Sequence, residues 1–154
     1  MPCNLTILGE KLDVDELISK SKLRGYTKHY IGQPMFKSKP NGKKLIHSGI
    51  GTQTSKADFD NLDKQIKDTI KYLKTHAEKL SIIKQTKEID FAVLDFGINL
   101  RIDKKKILLQ SDRFPSELLK LAGDLGLDIE LSVYAIEIQD ILEKQNRKIR
   151  IKSA

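Results

Sequence analysis

At 154 residues, with 39% hydrophobic and 32% charged content, the chain has the length and composition of one globular domain that folds without a metal or disulfide. The single cysteine, Cys3, excludes an intrachain disulfide and a cysteine-based structural zinc site. No apolar run approaches the ~20 residues of a membrane span. The N-terminus has no basic region followed by a long apolar core, so the sequence predicts no signal peptide and a cytoplasmic location.

Cys3 to Gly9 reads as a first strand, and Gly9 permits the turn after it. Asp13, with Glu16 three residues on, resembles a capping box, and Val14, Leu17 and Ile18 give the helix that follows an apolar side. Between Glu16 and Asp58 no acidic residue occurs, so most of the +7 net charge is concentrated there. Within that stretch, Ser21 to Asn41 reads as an irregular basic loop offering only Tyr26–Ile31 as a short strand. Lys43 to Ile50 reads as the next strand, entered through a tight turn at Asn41-Gly42.

Ser55 and Asp58 mark the start of a long helix. Phe59, Leu62, Ile66, Ile70, Leu73, Ala77 and Leu80 recur every three or four residues, with no glycine or proline through Thr86. Burying this stripe is worth on the order of 10 kcal/mol before entropy costs, so the helix anchors the fold against a sheet. Glu88 to Arg101 follows as the most apolar strand, and apolar residues at both parities suit an interior position. A turn at Asp103–Lys106 then leads to Ile107–Gln110 as its hairpin partner.

From Arg113 to Ile136 the sequence writes out a helix, a stop and a strand. Pro115 fits a first helical turn; Leu118, Leu119, Ala122 and Leu125 share a face; Gly126 closes the helix in a left-handed cap. Leu127, Ile129, Leu131, Val133 and Ala135 then alternate with Asp128, Glu130, Ser132 and Tyr134, which gives a strand one core face. Residues 1–136 form a single α+β domain by this reading: a mainly antiparallel sheet covered on one face by one long and two shorter helices. Residues 137–154 form an amphipathic, basic C-terminal extension, with Ile138, Ile141 and Leu142 ahead of Lys144, Arg147, Lys148, Arg150 and Lys152.

Leu5-Thr6-Ile7-Leu8-Gly9 with Leu12 to Ile18, the helix from Phe59 to Leu80, and Phe114 to Tyr134 with its Glu-Leu-Leu, Leu-Gly-Leu and Val-Tyr together resemble a family of small bacterial proteins classed as a domain of unknown function. The resemblance runs from Leu5 to Tyr134. The chain departs from the family in lacking a tryptophan near Leu45–Ser48 and in its tail after Ile136. Some relatives look like immunity proteins that neutralise bacterial toxins, and the resemblance implies that role as the most concrete one.

The residues themselves point to no catalytic, cofactor or metal site. His29, His47 and His76 are far from any metal-binding spacing, and neither Ser48 nor Ser116 lies in a G-x-S-x-G elbow. Ser48 to Ser55 is glycine- and hydroxyl-rich and leads into the long helix, where backbone amides hold anions, but it lacks the lysine of a phosphate loop. Asp95, within an apolar run, is a candidate acid or base if it shares a buried face with Phe91 and Val93. The expectation is therefore a non-enzymatic protein-interaction module that meets an acidic protein partner, a toxin in the immunity role. Lys22, Arg24, Tyr26, Lys28, Lys37, Lys39, Lys43 and Lys44 are its contact residues. The alternative is nucleic-acid binding by Lys20–Lys44, with lysines on phosphates and Tyr26, Tyr30 and Phe36 stacking on bases.

Overall fold

The computed structural model describes residues 3–102 and 109–135. Strict alternation makes β1 (Cys3–Gly9) the centre of a five-stranded sheet: Cys3, Leu5 and Ile7 are buried on one face, while Asn4, Thr6 and Leu8 are half-buried on the other. The strand order is β2-β3-β1-β4-β5, with β2 at Thr27–His29, β3 at Ser48–Ser55, β4 at Phe91–Asn99 and β5 at Asp128–Tyr134. Every pairing is antiparallel except β4 with β5, which runs parallel because a helix carries the chain back between them.

Three helices bury the face bearing Leu5, Ile7, Ile50, Leu94, Phe96 and Ile98. In α1 (Val14–Ser21), Asp13 accepts a hydrogen bond from the Glu16 amide at 2.9 Å, and Val14 and Leu17 point inward. Only this half of the capping box forms, since the Glu16 carboxylate pairs with Lys20 at 2.6 Å. The long α2 (Leu62–Leu80) lies across β3 and β4 with Leu62, Ile66, Leu73 and Leu80 buried, and continues as a 3-10 turn over Ser81–Gln85. Alongside it packs α3 (Ser116–Leu125), which Gly126 ends at φ 71°, a conformation that glycine takes without strain. The architecture is α+β, a mainly antiparallel sheet covered on one face by one long and two shorter helices.

Several boundaries differ from the sequence expectation. The strand expected at Lys43–Ile50 is Ser48–Ser55, so the glycine- and hydroxyl-rich stretch leading into the long helix is itself β3. Gly49 allows the close pairing with β1, since a Cβ there would lie 2.2 Å from the Ile7 carbonyl oxygen. The long helix consequently starts later, at an N-cap formed by Asn61, whose side chain accepts from the Lys64 amide at 3.1 Å. Pro115 is the N-cap of α3 rather than part of its first turn, and Leu119 is 50% exposed, turned away from Leu118 and Ala122. The expected turn at residues 103–106, the first half of the hairpin partner at 107–110, and the C-terminal extension lie outside the described residues, while Leu109 and Gln110 are not in a strand.

Candidate functional site: a basic hairpin and an open sheet face

The stretch following β2 is more ordered than an irregular loop. Beyond Tyr30 the chain continues a ladder with the segment leading into β3: the amides of Gly32 and Leu45 donate to the carbonyls of Leu45 and Gln33, both at 2.8 Å, and Met35 N–H donates to Lys43 at 2.9 Å. Pro34 and Lys44 form an antiparallel bridge at its far end. The tip turns twice, Lys39 N–H donating to Phe36 and Gly42 N–H to Lys39, each at 2.9 Å. The result is a hairpin over residues 30–47 that contains no acidic residue. It displays four large apolar side chains, Ile31 at 50% exposure, Met35 at 42%, Phe36 at 60% and Ile46 at 67%.

The contact residues expected from sequence fall into separate groups. Lys37, Lys39, Lys43 and Lys44 are exposed together on the outer part of the hairpin, where the Lys44 ammonium donates to the Pro40 carbonyl at 2.6 Å. Lys28, on β2, is bound to Asp15 of α1 at 2.6 Å, and that hydrogen bond holds the Asp15 carboxyl below its ordinary range. Lys22 and Arg24 are exposed just after α1, Lys22 as its left-handed C-cap. Tyr26 packs against the core, and its hydroxyl pairs with that of Tyr72 on α2. Burial raises the pKa of both phenols. Tyr30 likewise packs against the core and donates to Asp15 at 3.2 Å, which leaves Phe36 as the exposed aromatic ring of the three.

The second surface is the face of the sheet that carries no helix among the described residues. Side chains at the same register on neighbouring strands form rows across it: Thr27, Gly51, Thr6, Val93 and Asp128 in one, Gln53, Asn4, Asp95 and Glu130 in the next. Asp95 therefore faces away from the helices and cannot share a face with the buried core, although Phe91 and Val93 do lie beside it on this open side. Its Oδ1 is buried without a hydrogen-bond partner among the described residues. Asn4, Thr6, Thr27, Gln53, Lys56 and Asp95 line a shallow depression of about 600 Å³ here. At the upper end Phe91 meets His47 edge-on with ring centroids 5.6 Å apart, joining this face to the base of the hairpin.

No grouping of histidine, cysteine, aspartate or glutamate suited to a metal ion occurs among the described residues. Each histidine has a different neighbour: His47 packs on Phe91, His76 on Tyr72, and His29 lies against Gly49, half-buried and with its pKa lowered by that burial. Cys3 is sealed beneath Thr54 and Thr69, and burial pushes its thiol up to about 11, which leaves it protonated and unreactive near neutrality. The sequence expectation already left one face of the sheet without helices, but it did not decide the side on which Asp95 falls, because β4 is apolar at both parities.

The described residues thus form a two-layer α+β domain with one sheet face that carries no helix and a basic hairpin beside it. The chain belongs to the family described as a domain of unknown function, DUF4279, whose model matches residues 1–136. No curated protein and no solved structure matches it. No helix among the described residues is long and apolar enough to cross a membrane.

Proposed function

We propose that the protein is a non-enzymatic interaction module that docks an acidic protein surface through the hairpin 30–47, with neutralisation of a bacterial toxin as its most concrete form. One observation carries this reading: an acid-free hairpin exposes Phe36 and Ile46 among Lys37, Lys39, Lys43 and Lys44. Large apolar side chains at the centre of a contact supply most of its binding energy, whereas surrounding lysines accelerate encounter with an acidic partner. The earlier contact set narrows accordingly, because Tyr26 and Lys28 are committed to contacts within the domain.

Capture from the native host on immobilised full-length protein, at low and at moderate salt, tests the reading. A protein retained by the wild type and lost by Phe36→Ala, or by glutamate at Lys37, Lys39, Lys43 and Lys44, is the expected result. No protein retained at either salt would count heavily against it. Nucleic acid retained at low salt and released steeply as salt rises would favour the alternative. That alternative has lost two of its three stacking rings, since Tyr26 and Tyr30 pack against the core.

A further inference from the structure

We propose that the open face of the sheet is the docking surface for this chain's own C-terminal segment, residues 137–154. The proposal is independent of the hairpin reading, because it concerns a different surface with the opposite charge. Three carboxylates, Asp95, Glu130 and Asp128, stand on the β4–β5 half of the open face, Asp95 and Glu130 directly opposite one another on paired strands. None of the three enters an ion pair among the described residues. Like charges in facing positions destabilise a sheet unless a cation lies between them. Beside them Leu8 and Val93 are half-buried and Phe91 is 49% exposed, an apolar strip that no helix covers among the described residues.

The segment that follows β5 has the complementary pattern. Ile138, Ile141 and Leu142 come first, and after Glu143 every charged residue is a cation: Lys144, Arg147, Lys148, Arg150 and Lys152.

A zero-length carbodiimide cross-linker joins an amine only to a carboxylate in contact with it, and tests the proposal on the full-length wild-type chain. Mass spectrometry of the monomer is expected to show Lys144, Lys148 or Lys152 joined to Asp95, Glu130 or Asp128, with the yield falling in high salt. Links from these lysines to other carboxylates, or none at all, would overturn it. The expected links confined to covalent dimers would assign the face to a second copy instead, and overturn it equally. As a second measurement, trypsin should release the segment about tenfold faster from the combined Asp95→Asn, Asp128→Asn and Glu130→Gln variant than from wild type, since three partly exposed pairs are then lost. Equal release rates would count against docking.

Discussion

Gly49 has no room for a side chain. A Cβ there would lie 2.2 Å from the Ile7 carbonyl oxygen and 2.7 Å from Leu8 Cδ2, so β1 and β3 must move apart to accept one. Gly49→Ala should therefore cost about 1–3 kcal/mol, read as a lower denaturant midpoint. Its neighbour His29 makes stability depend on pH. Burial lowers the His29 pKa below the ordinary 6.5, so its contribution is complete above that value and is lost as pH falls through the lowered one. His29→Gln should flatten the decline in Tm between about pH 7.5 and about pH 5, and an unchanged decline would show that His29 is not its source. Neither constraint was legible in the sequence, where Gly49 and His29 stand far apart in two segments read as separate strands. Strand pairing brings them to the same register position.

Between elements, Gln65 ties the start of α2 to the sheet. Fully buried, it donates through Nε2 to the Asp58 carbonyl at 2.9 Å and to the Gly97 carbonyl at 2.8 Å. Gln65→Leu keeps the volume but strands two carbonyls, and should lower stability by about 1–3 kcal/mol in chemical denaturation. Leu73, fully buried on the same helix, makes the contrasting case. Leu73→Ala leaves a cavity and should cost about 2–5 kcal/mol. The periodicity of α2 made Leu73 readable as core, because a 3.6-residue repeat is a property of local sequence. Gln65 was not readable, since a buried amide is recognised only from the two carbonyls it reaches, and those belong to a loop and to β4.

For the molecule as a whole, charge is divided between two surfaces. The hairpin is basic and acid-free, while the open face gathers Asp95, Glu130 and Asp128 around its polar rows. Docking steered by lysines should weaken with ionic strength. Replacing Lys37, Lys39, Lys43 and Lys44 by glutamine should thus lower the association rate of a captured partner and flatten its salt dependence, whereas Phe36→Ala should mainly raise the dissociation rate. Surface plasmon resonance separates these effects, and identical kinetics for the two variants would argue against the division of roles.

The sequence by itself determined the α+β class, the three helices and their apolar faces, the glycine cap at Gly126 and the concentration of basic charge before Asp58. All of these follow from repeats of two or 3.6 residues, or from single residues with strong backbone preferences. Tertiary structure alone decided that the third strand runs over residues 48–55 rather than 43–50, that β5 runs parallel to β4, and that Asp95 faces outward, away from the helices. The reason is that strand pairing is non-local: which residues stand side by side depends on register between segments distant in sequence, and local pattern does not encode that register.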